Sequence, residues 1–146
     1  MMLRRLSDDV TVSDQITVED IPALKQAGVA TLIINRPDSE VGPAEGSEAI
    51  SRAAQDAGME ARYIPFCPGQ LEPRMVEDFG AALARPGKAH AYCRSGTRST
   101  NLWGLSQAGA MPTDAIISAA AAAGYDLSPI AGMIDSLARS RGAAQG

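Results

Sequence analysis

The sequence predicts an α/β fold: a mostly parallel central sheet flanked by helices on both sides. Segments of strand character alternate with segments of helical periodicity, the pattern of a wound parallel sheet. Val29-Ala30-Thr31-Leu32-Ile33-Ile34 is an unbroken apolar run rich in β-branched residues, as expected of a strand covered on both faces. Glycines at 28, 58 and 109 stand where helical periodicity stops, the place where a left-handed residue closes a helix. With 146 residues the chain fits one domain, spanning 1–146 with its core at about 8–138.

Taken in order, residues 1–9 read as a loosely held polar lead-in, and Val10-Thr11-Val12-Ser13 as a short strand. Thr17 is the expected N-cap of a helix reaching about Gln26, with Asp20 in its third position. The 29–34 strand runs into the polar loop Asn35-Arg36-Pro37-Asp38-Ser39-Glu40. Ser47–Ala57 is predicted helical, and Met59–Phe66 is a strand placed near an edge by Pro65. Cys67-Pro68-Gly69-Gln70 is a turn, and Glu72–Ala84 a helix with Pro73 at its start. A strand follows at Ala89–Tyr92. Further helices are expected over Ser99–Gln107, Pro112–Ala123 and about Pro129–Arg139, with a disordered Gly/Ala/Gln tail.

Composition narrows the function. Hydrophobic content of 45% and charged content of 21% are those of an ordinary globular protein. A net charge of −4 argues against a nucleic-acid partner, which calls for a basic surface. No apolar run is long enough to cross a bilayer, and Met1–Leu6 lacks the apolar core of a signal peptide, so no membrane partner and a cytoplasmic location are expected. Two cysteines in dissimilar surroundings are not a disulfide framework. One histidine and two cysteines are a poor ligand set, so neither a metal nor another cofactor is expected.

The chemistry concentrates in His90-Ala91-Tyr92-Cys93-Arg94-Ser95-Gly96-Thr97-Arg98-Ser99-Thr100-Asn101-Leu102-Trp103. A strand leads into Cys93, and the loop Cys-Arg-Ser-Gly-Thr-Arg turns into a helix. A helix start favours anions through its free N–H groups and dipole, and successive loop amides extend that into an anion-binding nest. The same field is expected to lower the pKa of Cys93 and populate the nucleophilic thiolate. The plain alternative, an inert core thiol, sits poorly beside two arginines and a glycine. Ligands of parallel sheets gather at the carboxyl ends of the strands. That rule puts the 35–40 loop, the 67–72 turn and the 93–98 loop on one rim.

Within this frame Arg98 is expected to clamp the bound anion with its planar fork. Arg94 assists the thiolate or points outward. Gly96 supplies a positive φ or a close backbone approach. Ser95, Thr97 and Ser99 are candidate donors to the anion, with Ser99 equally suited to a plain N-cap. His90 lies on the strand face opposite Cys93 and reads as structural. Cys67 either resolves a persulfide or disulfide on Cys93 or is a passive thiol. Arg36, Asp38 and Glu40 form a second polar cluster that orders the active-site loop, contacts substrate, or closes a turn by a salt bridge. Leu102 and Trp103 are expected to pack behind the loop.

Val12-Ser13-Asp14-Gln15-Ile16-Thr17, Gly28 through Glu40 with its Asn-Arg-Pro-Asp-x-Glu, Tyr63-Ile64-Pro65, and Tyr92 through Ser99 with Leu102-Trp103 together resemble the phosphatase-like domain family of beta-lactamase-hydrolase-like proteins. That family is also described as sulfur transferases. The resemblance implies a protein tyrosine/dual-specificity phosphatase-like fold with Cys93 as nucleophile. Some relatives carry a fused metallo-β-lactamase-like persulfide dioxygenase domain, whose ligands a single histidine does not supply.

Two departures from tyrosine phosphatases stand out. Those enzymes carry Cys-x5-Arg, whereas Arg98 gives Cys-x4-Arg, a six-residue loop similar to that of rhodanese-type sulfurtransferases and better matched to a persulfide or thiosulfate end. Expelling an alkoxide or phenolate normally needs a general acid, and the stretch where related phosphatases place an aspartate, Cys67–Glu72, has none. Glu72 is the substitute, or else a helix-start carboxylate. The sequence therefore leans toward a sulfurtransferase passing sulfane sulfur from a small anionic or persulfide substrate, through a Cys93 persulfide, to an acceptor thiol. A phosphatase working through a phosphocysteine is the alternative, and a non-catalytic anion-binding module the third reading.

Overall fold

The computed structural model describes residues 1–145 and shows a five-stranded sheet with helices on both faces. The strands are β1 (Arg4–Ser7), β2 (Val10–Ser13), β3 (Val29–Ile34), β4 (Glu60–Tyr63) and β5 (Lys88–Tyr92), in the spatial order β1-β2-β5-β3-β4. All neighbours pair in parallel except the β1–β2 hairpin. The helices are α1 (Ile21–Gln26), α2 (Ser47–Asp56), α3 (Pro73–Leu83), α4 (Thr97–Ser106), α5 (Thr113–Ala122) and α6 (Ala131–Gln145). This is the α/β architecture expected from the sequence, a mostly parallel sheet flanked by helices.

The sheet divides the core in two because alternate side chains leave a strand on opposite faces. On one face Ile33, Val12 and Ala91 meet Phe79 of α3, Leu102 and Trp103 of α4, Ile116 of α5 and Ile134 of α6. On the other, Leu32, Ile34 and Tyr92 meet Leu24 of α1 and Ile50 of α2. Residues 32–34 of β3 are essentially without solvent contact, as the two-sided apolar run requires. The capping box at 17–20 is present: the Thr17 amide donates to the Asp20 carboxylate at 2.8 Å, at the head of a 3-10 turn that leads into α1.

The structure corrects three expectations. The polar lead-in contains β1, an antiparallel edge strand of four residues whose Leu6 alone is buried, too short for an alternating pattern to show. Helix α4 begins at Thr97 rather than Ser99, because Gly96 adopts a left-handed conformation (φ +93°) and serves as its N-cap. The C-terminal tail continues α6 to Gln145 instead of being disordered; Gly146 lies outside the described residues.

Candidate active site

Because β2 to β5 run in parallel, the residues that follow them, Asp14, Asn35, Ile64 and Cys93, share one rim of the sheet. Cys93 is buried at the foot of α4. The left-handed turn at Gly96 folds the chain back, and the Gly96 amide donates to Cys93 Sγ at 3.1 Å. An amide donor and a helix N-terminus converging on one sulfur favour negative charge there. The Gly96 carbonyl is fixed as well, accepting the Thr100 amide at 2.9 Å and the Thr100 hydroxyl at 2.8 Å. A Cβ on Gly96 would overlap the Tyr125 hydroxyl and come within 2.9 Å of Tyr125 Cζ. Glycine is therefore required here by both backbone and space.

Arg98 reaches across the rim. Its Nη1 and Nη2 donate to Glu40 Oε2 and Oε1 at 2.9 and 2.8 Å, and Nη1 also donates to the Phe66 carbonyl at 2.7 Å. Arg36 completes the cluster, with Nε donating to Glu40 Oε1 at 3.3 Å and Nη1 to Gln15 Oε1 at 3.2 Å. Two guanidiniums on one carboxylate leave a net positive charge beside the loop. Hydrogen bonding to Arg98 holds the Glu40 carboxyl below its ordinary range despite partial desolvation. The same bond raises Arg98, with the Cys93 and Cys67 sulfurs adding to it electrostatically. The fork expected to grip an anion thus rests on Glu40. Asp38 stays out of this cluster: its carboxylate accepts the Ser47 amide at 2.7 Å and the Ser47 hydroxyl at 2.8 Å at the head of α2.

The remaining sequence candidates separate by depth. Arg94, Ser95 and Thr97 are exposed at the loop mouth, where the Ser95 hydroxyl donates to Thr97 Oγ1 at 3.0 Å. Arg94, Ser95, Asp14, Arg4 and Met2 line a cleft of about 400 Å³ beside the loop. Ser99 is neither exposed nor an N-cap; it is buried in the first turn of α4 and donates to Asn35 Oδ1 at 2.8 Å. Cys67 is a half-buried free thiol. Glu72 is exposed at the start of α3 and makes no capping bond. Leu102 and Trp103 are buried behind the loop as expected.

His90 is buried between two hydroxyls of β2, with Nδ1 2.7 Å from Thr11 Oγ1 and Nε2 2.8 Å from Ser13 Oγ. Ser13 spends its proton on the Asp14 carbonyl at 2.8 Å. The chain of donors is then fixed: Thr11 O–H to Nδ1, Nε2–H to Ser13 Oγ, Ser13 O–H to Asp14. Burial lowers the His90 pKa to about 4. The ring is a neutral strut between β5 and β2, on the face away from Cys93.

Three residues that bind the site together escaped sequence reasoning. Asn35 donates to the Ile64 carbonyl at 2.9 Å, accepts from Ser99, and receives the Phe66 amide on its own carbonyl at 2.9 Å. Thr100 clamps Gly96. Tyr125, thirty residues downstream of Ser95, donates to the Ser95 carbonyl at 3.0 Å. Asn35 stood inside a quoted motif; Tyr125 lies between the two expected helices Pro112–Ala123 and Pro129–Arg139, and nothing local marks it.

The family model described as "Beta-lactamase hydrolase-like protein, phosphatase-like domain" matches residues 2–110. The chain belongs to that family. A Beta-lactamase hydrolase-like protein of Agrobacterium fabrum is 30% identical over 105 residues, covering 71% of this chain and 24% of the relative. The chain thus spans about a quarter of that relative's length. A crystal structure of a Neisseria meningitidis protein described as a candidate phosphatase is 32% identical, with a TM-score of 0.77, covering 94% of this chain and 99% of that one. PTPMT1, at 15% identity and a TM-score of 0.75, shares the fold over 99% of this chain. Among the described residues no group of three or more His, Cys, Asp and Glu side chains is placed to hold a metal ion, and no helix is long and apolar enough to cross a membrane.

Proposed function

We propose that this chain is a cysteine-dependent phosphatase that hydrolyses a phosphate monoester through a phosphocysteine at Cys93. The observation that carries the reading is the Gly96 amide directed at Cys93 Sγ at 3.1 Å beneath the N-terminus of α4. The thiolate attacks phosphorus, forming an S–P bond as the P–O bond to the leaving group breaks. The departing oxygen takes a proton from an acid at the rim or from water. Water then attacks phosphorus, releasing inorganic phosphate and returning the electron pair to sulfur. Exposed loop donors and the Arg98–Glu40–Arg36 cluster supply positive potential for the phosphoryl oxygens.

The family description and the Neisseria relative both point to phosphatases, which reverses the lean toward sulfur transfer drawn from the sequence. Sulfur transfer remains the second reading because of the short Cys-x4-Arg loop and the missing aspartate at 67–72. Asp14, in the cleft with Arg94 and Ser95, is the carboxylate set beside the loop as a proton donor. On this reading Asp14→Asn slows alkyl phosphates at least ~10-fold more than activated aryl phosphates, which need no acid. Equal slowing of both would remove Asp14 from the role.

Intact-mass measurement after rapid mixing separates the two chemistries. A quenched aryl phosphate reaction should leave an adduct of about 80 Da on Cys93. A gain of about 32 Da from thiosulfate or glutathione persulfide, reversed by thiol and without a phosphate adduct, would put sulfur transfer first.

A further inference from the structure

The peptide joining Ser95 to Gly96 is trans, and a planar trans peptide points its C=O and N–H in opposite directions. Both ends of this one rigid unit are held. At one end the Tyr125 hydroxyl donates to the Ser95 carbonyl at 3.0 Å; at the other the Gly96 N–H donates to Cys93 Sγ at 3.1 Å. We propose that Tyr125 is a positioning residue for the nucleophile, holding the 95–96 peptide in the orientation that aims its N–H at sulfur.

The need for such a restraint follows from Gly96. A residue without Cβ turns its flanking peptides at little steric cost. A flipped 95–96 peptide would present the Ser95 carbonyl oxygen to sulfur and oppose negative charge there. Tyr125 blocks that flip twice, through its hydrogen bond and by filling the space that a Cβ at Gly96 would occupy. Tyr125 is itself braced. The Arg4 guanidinium lies 5.7 Å from the ring centroid and donates to the Ala123 carbonyl at 3.0 Å. Strand β1, part of the polar lead-in, thereby supports the catalytic loop through α5's C-terminal turn. Burial raises the Tyr125 pKa, which keeps the hydroxyl a donor at neutral pH.

The proposal rests on Cys93 as the nucleophile, and Tyr125→Phe in the full chain tests it, since phenylalanine keeps the ring and removes the donor. With iodoacetamide, and with peptide mapping to separate Cys93 from Cys67, the Cys93 rate at about pH 6 should fall ~3- to 10-fold, while the rate at about pH 10, above the ordinary thiol range, stays within about twofold. kcat on an aryl phosphate should fall by a similar factor with KM within about twofold. A rate unchanged at the lower pH, or lowered equally at both, would overturn the proposal. Hydrogen exchange at the Gly96 amide of the unaltered chain is a second check that needs no variant. Protection is expected, and exchange at the rate of an unstructured peptide would contradict the arrangement. Alkylation and exchange read geometry without turnover. A chain that released no phosphate yet showed the pH-selective fall would sink the phosphatase reading and leave Tyr125's role standing.

Discussion

Two side chains, His90 and Glu40, tie the stability of the fold to pH. His90 is buried and neutral, with its pKa lowered to about 4 from 6.5. Between those values the unfolded chain binds the extra proton, so stability is fully present above pH 6.5 and falls as the pH drops through about 4, by about 3 kcal/mol in all. Urea unfolding at neutral pH and near pH 4 should show that loss, and His90→Gln should remove most of it. A loss of unchanged size in the variant would assign it to other groups. Glu40 is the second. Its lowered pKa means the Arg98 pair stabilises above the ordinary carboxylate range and weakens as pH falls through the lowered value. Its side chain is 25% exposed, so solvent discounts the pair, and Glu40→Gln should cost about 1 to 2 kcal/mol. The same change frees Arg98 from a charged partner, and product inhibition by inorganic phosphate should tighten. Weaker phosphate inhibition would show that Arg98 needs the carboxylate to be placed at all.

At the level of elements, the sequence was most informative where burial imposes periodicity. Val29–Ile34 and the stretch before Cys93 became two of the three strands bonded on both sides, and Ser47 marked the start of α2. It was least informative where long-range contacts decide. Strand β1 exists because β2 offers it an edge, and nothing in Arg4-Arg5-Leu6-Ser7 alternates clearly enough to announce it. Helix α4 starts two residues before the expected Ser99 because left-handed Gly96 has already turned the chain. Gly104 illustrates the same lesson in packing. Its Cβ would lie 2.6 Å from Leu127 Cδ1 and 3.4 Å from Ile116 Cγ2, where α4 meets α5 and the segment before α6. Gly104→Ala should therefore lower stability by about 1 to 2 kcal/mol in spite of alanine's better helix propensity. Thermal or urea unfolding checks this, and a stabilised variant would mean that Leu127 moves aside freely.

Across the whole molecule, the placement of the Cys93 loop on a shared rim was legible because parallel topology dictates where strand ends meet. What the sequence concealed was partnership. Arg98 was expected to face substrate, and it holds Glu40 from 58 positions away. Ser95 rests on Tyr125, and Ser99 on Asn35. Such pairings are set by which loops the sheet order brings together, information no local pattern holds. The loop is thus held by hydrogen bonds from separate chain segments around one sulfur. The most direct test of that assembly as a catalyst is steady-state release of inorganic phosphate from an aryl phosphate by the full chain and by Cys93→Ser. Turnover is expected in the parent, with at least a ~1,000-fold loss in the serine variant. No release from the parent, or comparable release from both proteins, would contradict the role of Cys93 as nucleophile.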